Sequence, residues 1–156
     1  MSNDVTVPPT TFTPGLQTYR GSCLCGAVRY EADLDLAEGT VRCNCTFCTK
    51  TGWWSAYVKP GAFRLLQGRE RLISFATKNP MVEETTCGGC GVRAYGHGNI
   101  PELGGEYYQV NLRCLDGVNL EGVRVDHIDG RNDTWAPLGS SVHSRRFTPM
   151  PEEAQG

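Results

Sequence analysis

Residues 21–32 read Gly21-Ser22-Cys23-Leu24-Cys25-Gly26-Ala27-Val28-Arg29-Tyr30-Glu31-Ala32. Cys23 and Cys25 stand two positions apart, so an extended chain projects both thiols to one side. Just downstream, Val28, Tyr30 and Ala32 alternate with Arg29 and Glu31, the mark of a half-buried strand. A cysteine pair that leads into a strand sets the expectation for the rest of the chain. Short strands should be held together by something the thiols share.

Runs of the same kind recur at 54–58, 63–66, 72–76 and 92–95. Residues 106–112 put Tyr108, Val110 and Leu112 on one face, with Tyr107, Gln109 and Asn111 on the other. Nineteen glycines and nine prolines cut the chain too often for a long amphipathic helix. The expected fold class is all-β, a single domain of short antiparallel strands. One short helical turn is expected after the third cysteine cluster. Residues 1–20 are rich in Thr and Pro and show no period. They read as a loose arm, able to dock on a neighbour in a homo-oligomer. The domain is placed at 21–139, and residues 140–156 read as a polar tail.

The length of 156 residues suffices for one hydrophobic core and is short for two. Fifteen Lys and Arg face seventeen Asp and Glu, a net charge of −2, and the basic residues are scattered. Nucleic acid is therefore not an expected partner, since phosphate binding needs a basic face. Residues 1–20 lack a basic start followed by an apolar run, so no secretory leader is expected there. No segment approaches the ~18 apolar residues of a membrane span. The expected compartment is the cytoplasm, where paired cysteines more often mean metal or catalysis than disulfides. Eight cysteines in 156 residues also fall below the ~8–10% of a disulfide scaffold.

Seven of those cysteines form three clusters. They are Cys23/Cys25, then Cys43-Asn44-Cys45-Thr46-Phe47-Cys48, then Cys87-Gly88-Gly89-Cys90 followed by Gly91; Cys114 stands alone. A C-x-x-C turn converges two sulfurs on one ion, and a following glycine lets the backbone aim amides at them. Joined with Cys23 and Cys25, this pair completes four thiolates, the donor set of a closed structural zinc site. Cluster two offers three sulfurs from one loop and leaves a fourth position open, the form of a catalytic zinc site. Three thiolates on Zn²⁺ leave a net negative charge, which suits a soft fourth ligand such as a substrate thiol better than water. A purely structural role for cluster two, capped by a protein group, stays open at this point. Cys114 reads as a small buried hydrophobe.

The order G-x-C-x-C-G, C-x-C-x-x-C with a later Gly52, and C-x-x-C-G resembles the glutathione-dependent formaldehyde-activating enzyme family, which includes centromere protein V. Trp135, after a Gly- and Asp-rich turn, is similar to the family's closing segment. The resemblance covers residues 19–139. It implies an all-β tent with a structural zinc on Cys23, Cys25, Cys87 and Cys90, and a catalytic zinc on Cys43, Cys45 and Cys48. It further implies glutathione as the thiol partner and carbon–sulfur bond formation with formaldehyde. Asn44 stands where the family often has His, and Thr86 where it often has an aromatic residue.

Other residues invite a role near cluster two. Of Trp53 and Trp54, successive on a strand, one should face the core while the other walls a pocket. Arg42 and Lys50 flank the anionic loop and could balance its charge or hold a substrate carboxylate. His97, in Tyr95-Gly-His-Gly-Asn99, could move a proton near neutral pH. The leading expectation is an enzyme, a carbon–sulfur lyase or synthase in which a zinc-bound thiolate adds to a small electrophile. The alternative is a non-catalytic zinc-stabilised β module that binds or carries glutathione, or engages a protein.

Overall fold

The computed structural model describes residues 12–75 and 79–144. Its strands are β1 (Gln17–Ser22), β2 (Arg29–Leu34), β3 (Thr40–Cys43), β4 (Ser55–Val58), β5 (Phe63–Gln67) and β6 (Leu72–Phe75). After them come β7 (Val82–Cys87), β8 (Tyr95–Ile100), β9 (Gly105–Asn111), β10 (Arg124–Ile128) and β11 (Pro137–Val142). One α-helix, α1 (Thr46–Thr51), joins β3 to β4 among the described residues. None of their helices is long and apolar enough to cross a membrane.

The strands form two sheets, ordered β1-β2-β5 and β11-β10-β3-β4-β9-β8-β7-β6, without closing into a barrel. Among the described pairings all are antiparallel except β3 with β10. The all-β class expected from the sequence is what forms. In β2 the inward Tyr30, Ala32 and Leu34 are buried while Glu31 and Asp33 are only half so, as period-2 alternation requires. Tyr30 stacks on Phe63 of β5 at 5.2 Å between ring centroids, and Phe63 stacks on Tyr108 of β9 at 4.2 Å. These rings weld the small sheet to the large one. Leu36, Leu112, Val110 and Val123 fill the remainder of the core.

The structure bears on three expectations. Short helical turns do follow cluster three, at Pro101–Leu103 and Leu112–Cys114; the α-helix, which the sequence reading did not place, lies inside cluster two, where the Cys45 sulfur caps it by accepting the Cys48 amide. Residues 92–94 do not form a strand; the chain there leaves the Cys90 turn, and β8 starts only at Tyr95. The arm drawn at 1–20 and the tail drawn at 140–156 both overlap sheet structure, since β1 begins at Gln17 and β11 runs to Val142. The remainder of both segments, residues 1–11 and 145–156, lies outside the described residues, as does Ala76.

Candidate metal centres

The turn after β1 and the turn after β7 are built alike. The Cys23 amide donates to the Val28 carbonyl and the Gly26 amide to the Cys23 carbonyl, both at 3.1 Å. Likewise the Cys87 amide donates to Val92 at 3.0 Å and the Gly91 amide to Cys87 at 2.8 Å. Gly26 and Gly91 close these turns at φ +75° and +76°, left-handed backbone that glycine adopts without strain. The two turns face each other, and the four sulfurs of Cys23, Cys25, Cys87 and Cys90 gather within 4.8 Å of one another. Cys25 Sγ lies 3.7 Å from both Cys23 Sγ and Cys87 Sγ. A tetrahedron with zinc–sulfur bonds of ~2.3 Å has edges of about 3.8 Å, so the cage fits zinc.

Local amides favour the thiolate form at Cys90 and Cys23, whereas at Cys25 the Ala27 amide is outweighed by the Cys23 and Cys87 thiols, which push it up to about 11. The amides of Cys25 and Val92 pull the Cys90 thiol down to about 6. Cys23 is raised by burial, but the Val28 amide, 3.3 Å from its sulfur, and the neighbouring thiols bring it below the usual range. Cys87 is fully buried and Cys23 nearly so. The cage is closed by protein on its core side.

The second centre rests on α1. Cys43 ends β3, Cys45 holds the N-cap, a place usually taken by Ser, Thr, Asp or Asn, and Cys48 sits one turn on. The Cys45 amide donates to Cys43 Sγ at 3.4 Å and the Cys48 amide to Cys45 Sγ at 3.3 Å. All three sulfurs lie within 4.8 Å of one another, a donor set that could hold zinc. Burial raises the Cys48 and Cys43 thiols; at Cys45 the Cys48 amide, the Cys48 and Cys43 thiols and the Phe47 amide together outweigh burial and lower it. Unlike the first cage, this one borders an open cleft of about 610 Å³, lined among others by Cys43, Cys48, Trp53, Arg42 and Arg113.

A loop that closes one side of this centre had no signal in the sequence beyond Trp135. Asn44 Nδ2 donates to Asp129 at 2.9 Å, and the Arg131 amide donates to Asn44 Oδ1 at 2.8 Å. The Asp129 carboxylate also takes Asn132 and Thr134. Asp133 and Trp135 hold φ of +58° and +56°, a strained geometry for such residues that the network sustains. The loop's Gly130 amide is thereby brought to the Cys43 sulfur.

Arg93 and Glu84 also escaped the sequence reading. They form an ion pair whose side chains are only 8% and 7% exposed. The Arg93 guanidinium lies 3.6 Å from the Trp53 ring centroid and 5.2 Å from that of Phe47, a cation–π sandwich. Burial lowers Arg93, while Glu84 and then the nearby Cys48 sulfur favour its charge. A single arginine in an otherwise apolar stretch beside Cys90 was the available sign.

Of the other residues expected near cluster two, Trp54 is fully buried while Trp53 lines the cleft. Arg42 lines it too. Lys50 is exposed in the last turn of α1 and does not line it. His97 points elsewhere, its Nε2 2.8 Å from Glu106 and its ring beside Tyr108. Cys114 is half-buried against the core, its thiol pushed up to about 11, chiefly by burial. All eight cysteines are free thiols, so the disulfide scaffold is out.

The fold and sites define a β protein with two separate cysteine clusters, each able to hold a metal ion. Residues 18–128 match the model of the family described as glutathione-dependent formaldehyde-activating enzyme. The chain belongs to that family. It is also similar to a Rhodobacter sphaeroides protein of known crystal structure, at 30% identity and a TM-score of 0.57, over 64% of this chain and 90% of that one.

Proposed function

We propose that the protein is a zinc-dependent carbon–sulfur lyase of the glutathione–formaldehyde type, acting in the cytoplasm, that joins a thiol to a small electrophile or runs the reverse cleavage. The observation that carries this reading is the contrast between the two sulfur sets. Cys23, Cys25, Cys87 and Cys90 complete a tetrahedron, whereas among the described residues Cys43, Cys45 and Cys48 form a set of three beside an open cleft. In this reading the first set is structural and the second catalytic. Cys43, Cys45 and Cys48 would hold a zinc ion, which would supply the Lewis acidity that stabilises a substrate thiol as its thiolate at neutral pH.

The chain's own residues do the rest. Amides of Cys45 and Cys48 fix the sulfurs in place, and Arg93 offsets the negative charge of a three-thiolate centre. Trp53 gives the cleft an apolar wall. In the forward direction the thiol adds across a carbonyl: a carbon–sulfur bond forms, the C=O double bond becomes single, and the thiol proton ends on that oxygen. With glutathione and formaldehyde the product is S-hydroxymethylglutathione.

The test is Cys45→Ser. It should stay folded and keep the four-cysteine ion, yet lose turnover of glutathione with formaldehyde. Unchanged turnover would overturn the mechanism. A wild-type protein whose second ion responds to glutathione without any turnover would instead indicate a carrier.

A further inference from the structure

Arg42 and Arg113 reach the cleft from different elements, and each lies against the Trp54 ring. Arg42 precedes Cys43 on β3, and Arg113 follows β9 in a short turn fixed by the Asn111 side chain, whose Oδ1 accepts the Arg113 amide at 3.0 Å. Their guanidinium carbons lie 4.9 and 5.6 Å from the centroid of the Trp54 ring. Both side chains line the same cleft as Cys43 and Cys48.

What stands out is the missing counter-charge. Among the described residues neither arginine has an ion pair. Arg42 Nε is buried and makes no hydrogen bond. The nearby Asp129 carboxylate is already committed to Asn44, Asn132 and Thr134. Arg42 is half-buried and Arg113 exposed, so the Arg42 guanidinium in particular is a partly desolvated charge with no counter-ion among the described residues. Guanidinium groups present planar forks that suit a carboxylate.

We infer that Arg42 and Arg113 form a carboxylate subsite in the cleft, so that the three-cysteine centre takes anionic thiols in preference to neutral ones. The subsite rests on the reading of that centre as a thiol site, and the competing role for the two arginines is to balance the charge of the metal centre alone. The two roles separate on a ligand that keeps its carboxylates but has no free thiol.

Such a ligand is S-methylglutathione, titrated calorimetrically into the zinc-loaded protein. Wild type should bind it, with affinity falling as salt rises. Arg42→Gln and Arg113→Gln should each weaken binding about tenfold or more, the scale of one lost charge-assisted hydrogen bond, with zinc content unchanged. In wild type alone, the diethyl ester should bind about tenfold more weakly than the free acid, a comparison that needs no variant to fold. Equal binding of acid and ester, or variants that bind as wild type does, would overturn the subsite. So would loss of zinc from the variants with anion binding intact. Thiol ligation is read separately, from the absorption of the cobalt-substituted protein on adding 2-mercaptoethanol; a failure of the thiol reading registers there and not in the calorimetry.

Discussion

Gly130 sits directly against Cys43. A Cβ placed on Gly130 would overlap the Cys43 sulfur and crowd the Trp135 ring, and the Gly130 amide is a donor to that sulfur. The loop and the three-cysteine centre are therefore one unit, although 87 residues of chain separate the two positions (130 less 43).

Gly130→Ala should displace Cys43 or push the loop away. The expected outcome is loss of the second zinc, from about two ions per chain to about one, with the fold kept at a cost of about 1–3 kcal/mol for overpacking. Metal analysis and a urea titration measure the two effects. A variant that retains both ions and full activity would show that the loop does not constrain the centre.

The buried pair of Glu84 and Arg93 gives a second prediction. Burial holds the Glu84 carboxyl above its usual range even against the pull of Arg93, so the pair is expensive to bury and worse to break. Glu84→Ala should cost about 3–5 kcal/mol by stranding the guanidinium under Trp53. The double replacement Glu84→Leu with Arg93→Met should cost less than either single change. Urea midpoints of Glu84→Leu, Arg93→Met and the double variant decide it; an additive double mutant would mean the two charges do not depend on each other.

Acid should loosen the small sheet. Arg64 of β5 grips both oxygens of Asp33 on β2 at 2.9 Å, and Thr18 of β1 donates to the same carboxylate at 2.7 Å. These contacts hold Asp33 well below the usual carboxylate range. A carboxylate depressed in the folded state stabilises above its unfolded value of ~3.9 and loses that contribution as pH falls below it. The melting temperature of wild type should therefore exceed that of Asp33→Asn at pH 7, with the gap shrinking toward zero as pH drops below about 4. Metal release in acid affects both proteins alike, so the difference isolates Asp33. A gap that stays constant with pH would refute the assignment.

Strands with one apolar face were legible in advance. β2, β4, β5 and β9 fall within about two residues of their apolar runs, because alternation records which face meets the core. β11, Pro137–Val142, is exposed at every position and so carries no alternation to read. β3 has four residues and pairs in parallel with β10, 85 positions away, as in the register of Val125 with Thr40 and of Ile128 with Cys43 (125 less 40; 128 less 43). Nothing local encodes that pairing.

By itself the sequence determined the grouping of the cysteines. The count and spacing of seven cysteines divided them into a set of four and a set of three, because the geometry of each pair or trio is local to its turn and only the two pairs together complete four ligands. The tertiary structure alone decided what surrounds the set of three. Gly130 against Cys43, Arg93 beneath Trp53, and Arg42 and Arg113 against Trp54 all join residues distant in the chain. Side chains from separate strands become neighbours only through sheet order and register, which no short window of sequence contains.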